Sequence, residues 1–168
     1  PTQYPEQGSL ETKAGDPTLQ TASITNYDLR WEWFFGDAEL LSASAFYKDF
    51  SRPIEQVVFY EGPNRVFKPR NAESASALGW ELEGRIALRR LHRLLERFSF
   101  TSNVTWVDSE AKILQESGTI RSRQLQGQAP FIVNANLSYR HDRWGELRLL
   151  YNTAGRRIEA AGPPDEDP

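Results

Sequence analysis

Apolar and polar residues alternate along most of this chain with a period of two, the spacing of a β-strand whose successive side chains leave from opposite faces. Between Ile24 and Phe35, Tyr27, Leu29, Trp31, Trp33 and Phe35 alternate with Asn26, Asp28, Arg30 and Glu32. Between Leu40 and Phe50, Leu41, Ala43, Ala45 and Tyr47 oppose Ser42, Ser44, Phe46 and Lys48. Trp80, Leu82, Ile86 and Leu88 oppose Gly79, Glu81, Glu83 and Arg85 in the run from Leu78 to Leu88. The same scheme returns at Arg97 to Asp108 (Phe98, Phe100, Val104 and Trp106), at Phe131 to Arg140 (Phe131, Val133, Ala135, Leu137 and Tyr139) and at Glu146 to Thr153 (Leu147, Leu149 and Tyr151). Six strands are predicted, each with one apolar face and an opposite face that is polar, except that it is mixed in the run from Leu40 to Phe50 and broken by Ile132 in the run from Phe131 to Arg140.

The links between them alternate in length: short at Gly36 to Glu39, long at Ser51 to Ala77, intermediate at Arg89 to Glu96, long at Ser109 to Pro130, short at His141 to Gly145. An up-and-down meander in a transmembrane barrel has short periplasmic turns and long extracellular loops in this order. The expected fold is therefore all-β, an antiparallel up-and-down meander of about six strands forming part of a larger transmembrane β-barrel. Residues 1–23 are expected to be an extracellular loop or lead segment, 24–155 the barrel strands with long loops at 51–77 and 109–130, and 156–168 a truncated extracellular loop. The first long link contains a candidate hairpin, Gln56 to Tyr60 and Arg65 to Lys68 around Gly62-Pro63-Asn64. Strand directions place Trp33, Phe34, Phe35, Phe98, Phe100, Tyr139 and Trp144 near the short-turn edge, and Tyr27, Tyr47, Phe50, Trp80, Trp106, Phe131 and Tyr151 near the long-loop edge. Two aromatic bands flanking a belt of Leu, Val and Ala are what the two interfaces of a bilayer select.

Composition narrows the chemistry further. Across 168 residues there is no Cys, and the two histidines, His92 and His141, lie far apart. Thiolate sites, disulfides and zinc clusters are thereby excluded, and neither a phosphate loop nor a nucleophile elbow is present, so neither enzyme nor cofactor is expected. No apolar run approaches the roughly 18 residues of a spanning helix, a restriction that does not touch barrel strands of about 9 to 11 residues. A formal net charge of −3 gives no support to nucleic-acid binding. The missing initiator Met, with Pro1 opening a polar lead, reads as a processed product or a piece of a longer protein.

Several segments also resemble one family, the TonB-dependent outer-membrane receptors, in part of their β-barrel. Asn26-Tyr27-Asp28-Leu29 leading to Trp33 resembles the start of a descending strand after an extracellular loop, and Leu41 to Glu55 (LSASAFYKDFSRPIE) the ascending strand that follows. Gly79 to Arg85 (GWELEGR) is similar to the family's Gly-x-Glu-x-Glu strand, and Leu125 to Tyr139 (LQGQAPFIVNANLSY) to a later one. Asp16-Pro17-Thr18-Leu19 matches the family's preceding Asn-Pro-x-Leu stretch only in part, since Gln20-Thr21-Ala22 follows it. The resemblance implies a segment of a barrel of about 22 strands around a plug, in the outer membrane of a Gram-negative bacterium, taking up a scarce solute such as an iron–siderophore complex. It also implies partners: outer-membrane lipid, the remainder of the barrel and its plug, and a TonB-type energy-coupling protein acting through a region not seen in this sequence. Six strands with an apolar outer face leave two unpaired edges, costly in lipid, so neighbouring strands are expected.

Arg30, Glu32, Lys48, Glu81, Glu83 and Arg85 are candidates for facing the lumen or plug, although their alternating signs favour pairing across strands on a wet face. Arg65, Lys68, Arg121 and Arg123 are the extracellular candidates for capturing an anionic cargo, against a reading as solvated loop. Leu88 to Phe98 (LRRLHRLLERF) has the spacing of a basic amphipathic helix, but it joins two strands of opposite direction and is expected to be a turn with a single helical turn. The alternative from another class is a soluble or surface-attached β-sheet binding module. That module needs a second apolar face to cover the first.

Overall fold

The structure, a computed structural model, describes residues 11–61, 64–114 and 119–159. Its strands are β1 (Glu11–Lys13), β2 (Ser23–Gly36), β3 (Glu39–Ser51), β4 (Ile54–Glu61), β5 (Asn64–Asn71), β6 (Ser74–Ala87), β7 (Phe98–Leu114), β8 (Ile120–Arg123), β9 (Phe131–His141) and β10 (Gly145–Ala154). Six of them make the wall in the order β2-β3-β6-β7-β9-β10, every neighbour antiparallel, and β8 adds to the end of β7. A separate three-stranded sheet, β1-β5-β4, fills the link between β3 and β6.

Strand pairing brings the alternating faces of six separate runs into continuous rows. Leu29 is in register with Ala45, Ala45 with Trp80, Trp80 with Trp106 and Trp106 with Phe131. One row over, Trp31, Ala43, Leu82, Val104 and Val133 align in the same way. A slip of one residue in any pairing would interrupt both rows, which is how the pattern fixes the register. The apolar face stays open: Leu29 is 75% exposed and Leu149 69%. No second apolar layer covers it among the described residues, as a soluble sandwich would require.

The rows also climb relative to the strand ends. Leu40, one residue after the start of β3, aligns through Arg85 and Thr101 with Asn136, which is five residues short of the end of β9. That stagger of four residues, about 13 Å at 3.3 Å per residue, is the shear a tilted barrel wall needs. Among the described residues β2 and β10 pair on one side only, so the sheet is open.

The buried residues gather at the long-loop end. Val57, Val58 and Val66 come from the hairpin sheet, Ala75, Ala77, Val107 and Ala111 from β6 and β7, and Ala129 from the link before β9. Alternation assigns those wall residues to the polar face, so the loop layer covers that face at its outer end. Pro69, which has no N–H to give, is tolerated in β5 because β1 pairs only as far as Phe67 on that side. Gly79 faces Phe46 across the β3–β6 pair, and a Cβ there would collide with that ring and with the Trp106 carbonyl. The glycine thus gives the Phe46 ring its place on the polar face.

Several boundaries differ from expectation. β6 begins at Ser74 rather than Leu78, and β7 runs to Leu114 rather than Asp108. In the stretch added to β6, Ser74-Ala75-Ser76-Ala77, the only apolar residues are alanines, and in the stretch added to β7, Ser109 to Leu114, Glu110 and Lys112 occupy positions where the alternation calls for apolar residues, so neither extension carries a readable hydrophobic signature. The long links are correspondingly shorter, and the second contains β8. The segment Leu88–Phe98 forms two single 3-10 turns, Leu88–Arg90 and Arg93–Leu95, and no α-helix. Phe34 and Phe50 align with Leu40 and Ala75 on the polar face, outside the apolar aromatic bands. Residues 1–10 of the lead, Gly62-Pro63 of the hairpin turn and the final segment 160–168 lie outside the described residues.

Candidate functional site

Four of the six lumen candidates meet on the polar face. β2 contributes Arg30 and Glu32 two residues apart, and the β2–β3–β6 register sets Glu83 level with Glu32 through Ser42, with Arg85 two residues further along β6. Arg30 Nε donates to Glu32 Oε1 at 2.7 Å, its Nη2 to Glu83 Oε2 at 3.1 Å and its Nη1 to Ser44 Oγ at 3.3 Å. Arg85 Nη2 lies 3.7 Å from the other Glu83 oxygen. Two cations and two anions balance, and both guanidinium groups remain two-fifths exposed or more, so the cluster is a solvated, locally neutral network. Glu81 stands apart and accepts from Thr105 Oγ1 at 3.3 Å, while Lys48 lies over the Phe46 ring, 5.4 Å from its centroid. The two are not drawn into the Arg30 cluster.

Further round the wall the polar face continues through groups that were not candidates. Asn103, Asn134 and Asn152 occupy one register row and join through their side-chain amides, Asn134 Nδ2 donating to Asn103 Oδ1 at 2.7 Å and Asn152 Nδ2 to Asn134 Oδ1. Beyond them Glu146 lies between Arg148, at 2.9 Å, and Arg140, at 3.5 Å. Amide ladders and paired charges satisfy the polar face within itself, leaving it wettable without a large field of either sign. Among the described residues no group of three or more His, Asp or Glu side chains gathers to hold a metal.

The four loop candidates separate. Arg65 is exposed on β5, and Lys68, opposite Val57, lies over the Phe59 ring at 5.6 Å. Arg121 is half-buried on β8, in register with Ile113. Arg123, by contrast, is turned into a buried pair with Glu55, Nη2 to Oε2 at 2.8 Å, the two side chains being only 6% and 5% exposed. Glu55 also accepts from the backbone N–H of Gln126 at 3.2 Å. The Gln126 side chain closes the junction: its Oε1 accepts from Gln56 N at 2.7 Å, and its Nε2 donates to Gln56 O at 3.0 Å and to Glu159 O at 2.7 Å. One glutamine therefore ties the hairpin sheet, the link after β8 and the segment after β10 into a single outer layer. The lead segment joins it through Asn71, whose side chain accepts from Gln20 N at 2.8 Å and donates to Gln20 O at 3.0 Å. Just upstream, the Thr18 hydroxyl and backbone N–H both donate to Asp16, holding that carboxyl below the usual carboxylate range.

At the opposite edge a second clasp joins the first two turns. Glu39, 3% exposed, accepts from Ala87 N at 3.1 Å and from Arg90 Nε at 2.6 Å, while Arg90 Nη2 donates to Phe35 O at 2.7 Å. Rings collect beside it: Phe98 against Tyr139 at 4.8 Å, and His141 stacked on Trp144 at 4.3 Å. At the long-loop side Tyr27 stacks on Tyr47 at 6.5 Å and Trp80 on Trp106 at 6.4 Å. Neither clasp is visible in the sequence, since their partners lie 33 to 71 positions apart and no local motif links them.

Against known proteins, a family model described as TonB dependent receptor-like, beta-barrel matches residues 1–166. Comparison with curated proteins and with solved structures returns no match. The matched span leaves out only the last two residues, and the antiparallel, staggered sheet is the architecture such a barrel requires. The chain belongs to the TonB-dependent receptors, the receptors and transporters of the Gram-negative outer membrane, and forms part of their β-barrel domain.

Proposed function

We propose that this chain is a stretch of wall in an energy-coupled outer-membrane transporter that takes up a scarce solute such as an iron–siderophore complex. The observation that carries the reading is the predominantly apolar face of the six-stranded sheet, uncovered across its width among the described residues while the opposite face is mainly polar and internally paired. In this reading the apolar face meets outer-membrane lipid, and the face bearing Arg30, Glu32, Lys48, Glu81, Glu83 and Arg85 looks toward the lumen and the plug. The plug is moved by a TonB-type partner acting elsewhere in the whole protein. The chemistry is binding and gating, and the wall contributes scaffold and a wettable surface.

The outer layer is the place for first contact with cargo. Arg65, Lys68 and Arg121 supply its positive charge, whereas Arg123, engaged by Glu55, serves the shape of the layer. The test is fractionation of native cells with an antibody to this segment, followed by solute uptake in a strain lacking the gene. Expected are an outer-membrane band several times larger than 19.2 kDa and impaired growth under iron limitation that the intact gene restores. A soluble band near 19.2 kDa would sink the transporter reading. An outer-membrane band with unchanged iron uptake would remove the siderophore and keep the wall.

A further inference from the structure

The link between β6 and β7 is longer than the other two at its edge and is built differently. Over Leu88–Arg97 it carries four arginines and one glutamate, and it leaves Leu91 69% and Leu94 83% exposed. Two of the arginines are occupied within the fold, Arg90 by Glu39 and Arg97 by Asp142 at 3.1 Å. Arg89 and Arg93 have no ion pair among the described residues. The second 3-10 turn borders an open groove lined by His92, Arg93, Leu94, Glu96, Arg97, Phe98 and Tyr139. Phe98 and Tyr139 belong to the apolar face of the wall, in register with one another. The groove is thus continuous with that face through Phe98 and Tyr139, and carries two arginines, Arg93 and Arg97, against one carboxylate, Glu96.

We propose that this groove binds an anionic phospholipid of the leaflet facing the periplasm, with an acyl chain along Leu94, Phe98 and Tyr139 and the headgroup phosphate at Arg93. The inference rests on the reading that the apolar face meets lipid. Two observations select this occupant. The first is charge: an excess of arginine stands where the apolar face ends, the arrangement in which cationic side chains reach from hydrocarbon to an anionic headgroup layer. The second is continuity: a ligand in the groove extends along Phe98 and Tyr139 onto the face already assigned to lipid, which a folded periplasmic protein would not follow. Leu91 and Leu94, which stay mostly exposed among the described residues, gain burial at the same interface.

The experiment uses the full-length receptor in detergent, titrated separately with phosphatidylglycerol, phosphatidylethanolamine and inorganic phosphate while thermal unfolding is followed. Phosphatidylglycerol is expected to raise the Tm and the other two to leave it unchanged. R93Q should weaken the apparent phosphatidylglycerol affinity roughly fivefold, the effect of losing ~1 kcal/mol per basic side chain at an anionic surface. L94S should weaken it as well, and the double variant further. An equal response to phosphatidylethanolamine or to free phosphate, or an unchanged affinity in the double variant, would overturn the proposal. A photo-crosslinking residue in place of Leu94 adds a test in cells: a lipid adduct supports the groove, and a single protein adduct replaces lipid with a periplasmic partner. Fractionation of the same strains separates the two levels of inference. Wild type missing from the outer membrane defeats the transporter reading, whereas wild type present there but insensitive to phosphatidylglycerol defeats only the lipid site.

Discussion

At the scale of single residues, the molecule treats its charges in two ways. On the polar wall the pairs around Arg30 and Glu83 are water-exposed, and removing one partner leaves the other hydrated. Glu55 and Arg123 are enclosed, and a lone charge there has no water to fall back on. Arg123→Gln is therefore expected to loosen the outer layer by ~3–5 kcal/mol, with Glu55→Gln doing the same and the double variant recovering much of the loss. The measurement is the rate at which protease added to intact cells cuts the loops of the full-length receptor: fast for each single variant, slower for the pair. Equal rates in all three would mean that the pair does not hold the layer. Arg123 was legible in the sequence only as one more basic loop residue, because its partner lies 68 positions away and no local pattern names it. Glu32 was a different case, since two residues along a strand is a same-face neighbour and the contact with Arg30 follows from alternation.

At the scale of the strand, alternation decided most of what formed. Where large apolar residues mark one face, as from Tyr27 to Trp33, the strand and its faces followed from the sequence. Where only alanine and serine alternate, as at Ser74 to Ala77, pairing continued without a readable signal, and the strand proved longer than its pattern. The 88–98 segment shows the reverse. Its helical spacing is real, but ten residues joining two antiparallel strands have room for only two tight turns. The distinction between faces has a direct test in the full-length gene. Leu29→Arg, Ala45→Arg and Leu137→Arg each place a cation on the apolar face and are expected to cost up to ~2–4 kcal/mol near mid-bilayer and less toward either interface. Asp28→Arg, one position from Leu29 but on the exposed polar face, should assemble normally. The amount of heat-modifiable protein in the outer membrane reads the series, and equal tolerance on both faces would remove the lipid assignment.

At the scale of the whole molecule, the wall is a sheet that among the described residues has two open edges, β2 and β10, and one face without a covering layer. Such a surface is a template for further strands. The 168-residue chain expressed by itself and refolded in water is expected to associate, eluting from gel filtration with scattering masses at multiples of 19.2 kDa or larger. A stable monomer with a fixed near-UV spectrum would contradict the open-edge description. The sequence by itself determined the class of the fold, the order and direction of the six wall strands and which face of each is apolar, because these depend on local alternation and on link length. It also carried the family resemblance, through runs such as Gly79 to Arg85. Only the tertiary structure decided the stagger of the rows, the seating of Phe46 against Gly79, and the two clasps built on Glu55, Arg123 and Gln126 at one edge and on Glu39 and Arg90 at the other. The physical reason is range: a period of two is written in neighbouring residues, whereas a buried carboxylate finds its arginine only after six strands have fixed where each side chain stands.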